Sequence, residues 1–578
     1  IPSIFVFLEN FPLTSNGKIN RKALSIPNTS TPSSESAYAS PCNGTEKKLC
    51  LIWQEVLGLE KIGVHDNFFA LGGDSISSIQ ISSKAKQIGL SITVRELFQS
   101  PTISQLAKGG KLGASEQVNF IDREEIPFPV TPIQKRFFEE KSNMLHTYTQ
   151  DIVFCSKKPL TISSIKKILE ELQKKHRVFS LRYTCSSKKI PHWTQYYTKK
   201  QNILLQEFDL SSAPTETVEE KISEIRQNAK ALINIIDGPL FVLCHLKKNG
   251  KSDLLLIAHH LIIDAVSWKI LLEDFECAYR LISENNSYNF MNKTHSFQYW
   301  QKSLESYEKN ITIKEKDYWK SLEEKMVICK PEKDLKTGYV TEKLTTSTTI
   351  KLLRESHKKY NTSINDLLLT ALSCSLSKWG KATSMVVELE GHGREEVEKG
   401  IDLSHTIGWF TSLYPFDVKT NQFDSLENKL LIIKKRREKI PLNGAGYGIY
   451  RLGISTPQPQ SQILFNYLGQ WTKQDQNSHR IFHFSKSDDI AMLYNSHQVA
   501  FRHKIIINAV SIENQFHVHI AYNPDTYAKH DIKKLERLFL DNVEKIIEHC
   551  CKHTVLKKTN SISNKNRKNA IAQILKKG

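Results

Sequence analysis

Apolar positions in the first hundred residues recur at helical spacing. Leu49, Ile52, Trp53 and Val56 form one stripe, with Thr45 placed to cap the helix and Gly58 to end it. A second helix is predicted from about Ser75 to Ile88, with Ile76 and Ile79 on one face. Val94, Leu97 and Phe98 mark a short third helix, and Thr102 to Ala107 a fourth after Pro101. Residues 45–108 therefore read as a small four-helix unit. Beyond it the pattern changes: over residues 127–554, strand-like apolar runs alternate with helical stripes, which predicts a large α/β or α+β domain. The clearest strand is Leu254-Leu255-Leu256-Ile257-Ala258, followed by His259-His260 and by a helical pattern from Ala265 to Leu272.

Between these units the chain is polar. Residues 28–44 are rich in Ser, Thr, Pro and Asn and predict a flexible linker, and residues 109–126, Gly-rich and then polar, a second one. Residues 1–27 are too few for a domain. Lys552 to Gly578 carries eight Lys or Arg and no acidic residue, so residues 555–578 are expected to be a basic tail or interdomain linker, with Ala570 to Lys577 as a candidate docking helix.

The 578 residues, 39% apolar and 9% aromatic, suffice for three or four cored domains. The most apolar stretch, Leu254 to Ile263, is far shorter than the roughly 18–20 residues of a membrane span and contains two histidines, so no membrane partner is expected. The start, Ile1-Pro2-Ser3-Ile4, has no initiator methionine and no basic region, and reads as a cut from a longer protein. Ten cysteines without a Cys-x-x-Cys pair fit a reducing cytoplasm. His549-Cys550-Cys551-Lys552-His553 lacks a second cluster at metal spacing, so no metal is expected. A formal charge of +19 raises nucleic acid as a partner, but the lysines are spread along the whole chain and no nucleic-acid motif occurs.

Candidate chemistry begins at Ser75. Gly72 and Gly73 allow a tight turn, and Ser75 falls at the amino end of a helix, where free N–H groups and the helix dipole suit a phosphodiester. Alone, Gly-Gly-Asp-Ser reads equally as a helix cap. The run Asp66-Asn67-Phe68-Phe69-Ala70-Leu71-Gly72-Gly73-Asp74-Ser75-Ile76 resembles the carrier signature of nonribosomal peptide synthetases. That resemblance implies 4′-phosphopantetheine on Ser75, installed by a phosphopantetheinyl transferase and holding an aminoacyl or peptidyl thioester. Asp74 resembles the form found in carriers that feed an epimerization domain. Phe11 to Leu24, around Asn16-Gly17-Lys18, resembles the closing motif of adenylation domains, with Lys18 as the lysine that contacts the acyl-adenylate. Residues 1–27 are thus expected to end an adenylation domain whose pocket is absent.

His259 and His260 at a strand end, followed by Asp264, read alone as structural histidines or as proton-handling groups. With Val266-Ser267-Trp268 they resemble the His-His-x-x-x-Asp motif of the condensation/epimerization superfamily, implying His260 as acid/base and Asp264 as its structural support. Glu388-Leu389-Glu390-Gly391-His392-Gly393-Arg394-Glu395 resembles a motif of epimerization domains that condensation domains generally lack, implying a catalytic Glu390 with His392 and Arg394 shaping the loop. Ile407 to Pro415, Gly444 to Gly448 and Phe465-Asn466-Tyr467-Leu468-Gly469-Gln470 continue the resemblance, with Asn466 and Tyr467 as expected substrate-orienting donors. The implied fold has two chloramphenicol-acetyltransferase-like halves with a tunnel between them. The implied reaction removes the thioester's Cα proton, the carbanion being delocalised as an enolate, and returns one to the other face. Condensation and a non-catalytic carrier-docking module are the rival functions. Expected partners are the chain's own carrier, an upstream adenylation domain and a downstream condensation domain. Four positions depart from the family pattern: Arg136 stands where tryptophan is usual, Thr149 where asparagine is, Ala265 where glycine is, and His405 where arginine is.

Overall fold

The computed structural model describes residues 38–574 except 74, 110, 113–121, 141–144, 187–191, 200–202, 249, 285–293, 327–336, 383, 455–458, 460, 472–480 and 485–502. Lys18 and the expected adenylation remnant lie outside the described residues.

The small unit consists of α1 (Gly44–Leu57), α2 (Ser75–Gln87), α3 (Val94–Gln99) and α4 (Ile103–Gly109). The cap of α1 is Asn43 rather than Thr45: Asn43 is extended, and its Oδ1 accepts from the Glu46 N–H at 2.8 Å. Gly58 ends the helix in the left-handed region at φ 65. The stripe read from the sequence closes on Trp53 and Phe68, both fully buried, with ring centroids 5.2 Å apart.

The large domain has two halves. The first contains α5 (Pro132–Glu140), β1 (Thr149–Ser156), β2 (Ile203–Asp209), β3 (Phe241–Lys248), β4 (Lys251–His259) and α6 (Ala265–Glu284). The second contains β5 (Gly338–Lys343), α7 (Thr346–Arg354), β6 (Val386–Gly391), β7 (Ser412–Asp417), β8 (Ile463–Trp471), β9 (Phe482–Phe484), β10 (Ile505–Ile512), β11 (Gln515–Tyr522) and α8 (Lys529–Ile574). The first sheet has the order β9-β1-β4-β3-β2 and the second β5-β11-β10-β8-β6-β7. Strand β9 thus leaves the second half to pair antiparallel with β1 of the first.

Strand β4 is buried along almost its whole length, as its unbroken apolar run requires of a strand covered on both faces. In β8 and β10 the even-numbered Leu464, Leu468, Ile506 and Val510 face a core that also holds Phe137, Leu256 and Trp268 of the first half. The odd-numbered Phe465, Ile505, Ile507 and Ala509 face a second core closed by Phe539 of α8. One face of the second sheet therefore looks into the space between the halves. Helix α8 runs through the segment expected as a basic tail, because no Gly or Pro interrupts the sequence from Lys529 to Ile574.

Candidate functional site

The two adjacent histidines at the end of β4 have opposite tautomers, fixed by their neighbours. His259 Nε2–H donates to the Leu145 carbonyl at 2.9 Å, and its Nδ1 accepts from the Leu261 N–H at 3.1 Å. Both nitrogens are engaged, so His259 is structural. His260 Nδ1–H donates to the Ile263 carbonyl at 2.7 Å. The Gln150 side chain lies on the other nitrogen. Its Oε1 accepts from the Trp268 indole N–H at 2.8 Å, a group that can only donate, so its Nε2–H must face His260 Nε2 at 3.0 Å. His260 Nε2 is thereby the lone-pair nitrogen. Burial keeps both imidazoles neutral, lowering their pKa to about 3. The His260 ring lies between Tyr148 and Trp409, at centroid distances of 4.8 and 4.5 Å.

Asp264 is saturated with donors: Arg394 Nη1 at 2.8 Å and Nη2 at 3.0 Å, Ser267 N at 2.7 Å and Phe410 N at 3.0 Å. It ties the start of α6 to the loop after β6 and to the Gly408–Phe410 segment. Gly393 has φ +68, and a Cβ there would lie 1.7 Å from the Phe410 carbonyl oxygen, so only glycine permits this contact. Arg394 is held by Asp264 and stacks over Phe410 at 4.1 Å, while His392 Nδ1 accepts from the Arg394 N–H at 3.0 Å.

Glu388 and Glu390 stand two apart on β6 and so share its face toward the first half. Their environments differ sharply. Burial acts against the charge of Glu388, but Arg136 (2.6 and 3.1 Å) and His503 (2.5 Å) outweigh it and hold the carboxyl at about 2. Glu390 instead accepts from a neutral donor, Asn466 Nδ2 at 2.8 Å, on the adjacent strand. Burial, with the Asp264 charge added, raises it to about 8. Two carboxyls on one strand face therefore have opposite charge states at neutral pH, the arrangement that separates acid from base roles in catalysis.

Asn466 thus lies beside Glu390. Tyr467 does not: the strand alternation turns it toward the second core, where it packs near Phe516 at a centroid distance of 6.5 Å. That corrects the expectation that both line one site. Sequence reasoning gave no role to Gln150, Tyr148 or Trp409. All three lie inside the segments that carry the resemblance, but their contacts depend on β1 pairing with β4 and on the loop after β6 crossing to the first half. Asn508 was also missed. It lies in register with Asn466 on β10 and is buried, and its Nδ2 has no partner among the described residues.

Arg136 is compensated rather than stranded, since Nε also reaches Glu140 at 2.9 Å. Thr149 opens β1 opposite His259 and Ala265 opens α6; nothing in the structure explains either choice.

The family model for the condensation domain matches residues 125–569, and that for a phosphopantetheine attachment site matches residues 47–108. The chain belongs to the condensation-domain family. Bacitracin synthase 3 of Bacillus licheniformis is 33% identical over 97% of this chain, which spans 9% of that protein. Surfactin synthase subunit 1 of Bacillus subtilis (strain 168) is 34% identical over 82% of the chain, which spans 13% of it. Among solved structures, the epimerization domain from the third module of tyrocidine synthetase B has a TM-score of 0.63 at 26% identity, covering 75% of this chain and 99% of that one. The condensation domain of Monacolin K polyketide synthase MokA, at 12% identity and a TM-score of 0.59, covers 74% of this chain and 98% of that one, and supports the fold alone. The protein is thus a nonribosomal peptide synthetase fragment: a four-helix carrier unit beside a condensation-type domain of two chloramphenicol-acetyltransferase-like halves.

The carrier family implies covalent phosphopantetheine, and the residues present fit it. Ser75 is the first residue of α2. Before it, Gly72 is left-handed at φ +95, and a Cβ on Gly73 would lie 2.4 Å from the Phe68 ring, so the approach to the serine must be glycine. The arm would supply a thioester, which acidifies the Cα of the group it carries.

Proposed function

We propose that the large domain epimerises the Cα of an L-aminoacyl or peptidyl thioester held on phosphopantetheine at Ser75, within nonribosomal peptide synthesis. The observation that carries this reading is the pair of proton states: a neutral imidazole with its lone pair on Nε2 and a carboxyl that keeps its proton to about pH 8. His260 Nε2 takes the proton from one face of Cα, and Glu390 gives its own to the other. The reverse reaction uses the same site after the proton has changed sides. Asn466 holds the Glu390 carboxyl, Asp264 and Arg394 fix the loop that follows it, and Trp268 orients Gln150. Each proton-transfer group is expected to supply about 10²–10⁴-fold in rate. His260 is fully buried, so Gln150 must swing away from Nε2 as substrate enters.

That enclosure also favours the rival reading of a non-catalytic carrier-docking module. Peptide-bond formation through His260 fits less well, because it leaves the protonated Glu390 without a task. To test the proposal, phosphopantetheinyl transferase loads Ser75 from a panel of L-aminoacyl-coenzyme A thioesters in heavy water, transferring the aminoacyl-phosphopantetheine arm and releasing 3′,5′-ADP. Cα deuterium and the chirality of the released amino acid are then measured. Deuterium uptake with an L/D mixture, abolished in Glu390→Gln, supports the epimerase. Confirmed loading without exchange across the panel overturns it.

A further inference from the structure

The face by which the carrier meets the large domain is built from one helix. On α2, Gln80, Ser83 and Lys86 follow each other at intervals of three residues and so lie on one side. Each has a counterpart. Gln80 Nε2 donates to Glu273 on α6 at 3.4 Å. Lys86 Nζ pairs with Asp402 at 2.9 Å. Between them, Ser83 Oγ hydrogen-bonds His405 Nε2, and both residues are buried, at 4% and 7% exposure. The large domain's His405 thus lies directly against the Ser83 hydroxyl. A fourth contact continues the face: the Gln470 side-chain amide donates to the Gly72 carbonyl, just before Ser75. Gln470 is on β8, the strand that carries Asn466 beside Glu390. Docking contact and proton-donor support are thus four residues apart on one strand, about 13 Å.

His405 is a departure from the usual arginine, and its partner gives that departure a meaning. An imidazole with a buried hydroxyl against it leaves no room for a larger side chain at the carrier position. The neighbouring contacts place a donor against Glu273 on one side and a cation against Asp402 on the other. We infer that the large domain recognises its own carrier through Gln80, Ser83 and Lys86 of α2 against Glu273, His405 and Asp402, with Ser83–His405 as the contact that discriminates between carriers. The matching partner is a carrier helix with a small hydroxyl at the middle position and a lysine one turn later. The inference holds whichever reaction the large domain runs.

A zero-length carbodiimide crosslink on the full holo chain tests it. The reagent activates the Asp402 carboxyl, the Lys86 amine displaces the urea, and an amide bond replaces the ion pair. Lys84 and Glu55, 3.0 Å apart within the carrier, give an internal control product that does not depend on docking. The ratio of Lys86–Asp402 to Lys84–Glu55 product, read by mass spectrometry, is expected to fall about fivefold in His405→Ala, the worth of one hydrogen bond. In Ser83→Leu it should fall further. Persisting control product and phosphopantetheinylation of Ser75 show in each variant that the carrier is folded. An unchanged ratio in both variants overturns the inference, as does a wild-type chain that forms the control product but no Lys86–Asp402 product. Because the crosslink needs no turnover, failure here is separate from failure of the epimerase reading.

Discussion

Replacing Glu390 by glutamine should abolish Cα exchange and yet stabilise the protein in mild alkali. Glu390 keeps its proton to about pH 8 because it is buried and faces the Asp264 charge, whereas its ordinary value is 4.5. Below pH 4.5 the carboxyl is protonated in both folded and unfolded chains and costs nothing. Between 4.5 and 8 the folded chain binds the extra proton, so stability falls as pH rises, by up to about 1.4 kcal/mol per unit. The 3.5 units between the two values give an upper bound of about 5 kcal/mol. The Glu390 residue keeps some exposure and its surroundings relax, so about 2–3 kcal/mol is the working expectation. Glutamine has the carboxyl's shape and never ionises. It can still face Asn466, with one amide turned to present its oxygen to the other's N–H. Thermal midpoints of wild type and Glu390→Gln, measured from pH 5 to 9, should converge near pH 5 and separate by several degrees at pH 9, the variant being higher. Parallel curves would mean that Glu390 is ionised and solvated at neutral pH, and the proposed proton donor would be lost with it.

Further outcomes follow from the same geometry. Single-turnover Cα exchange in the wild type should be flat through neutrality and fall above about pH 8, as the carboxyl that must donate becomes ionised. His260→Ala should lower exchange by about 10²–10⁴-fold while leaving aminoacyl loading of Ser75 unchanged, as quantified by intact-mass spectrometry. Arg136→Trp, although it restores the commoner family residue, should destabilise the domain by about 3–5 kcal/mol in denaturant unfolding, because it leaves Glu388 buried without its guanidinium partner. Arg136→Trp combined with Glu388→Leu should recover most of that loss. Gly393→Ala should fail to reach native stability in the same assay, since its Cβ has no space beside the Phe410 carbonyl.

Much of the fold was legible because it rests on local rules. The carrier helices follow the spacing of Leu49, Ile52, Trp53 and Val56, and β4 follows its unbroken apolar run. Asn43 displaced Thr45 as a cap because two cap-forming residues stand two apart, and only backbone geometry chooses between them. The charge states of Glu388 and Glu390 were not legible. Both sit in one glutamate-rich run, and what separates them is an arginine 252 residues away in sequence and a histidine 115 away. Nor was the turning of Tyr467 away from Asn466, which needs the strand register as well as the motif.

The departures from the family pattern point the same way. Arg136 stands where tryptophan is usual, and an arginine buried there without a partner would be a severe defect. In the structure it meets Glu388 and Glu140 and becomes half of a compensated network. His405 replaces arginine's permanent cation with a titratable ring, and in the structure it meets Ser83 of the carrier. Each substitution has a partner of complementary chemistry that no local pattern reveals, because the pairing runs between α5 and β6 in one case and between two domains in the other. A position judged faulty against a motif is therefore judged without its contact. For these two residues the contact changes the reading, from a decayed site toward one rebuilt with different pairs. The Arg136→Trp variant decides this for the first pair: if it were neutral, the compensation would be incidental and the decayed reading would stand.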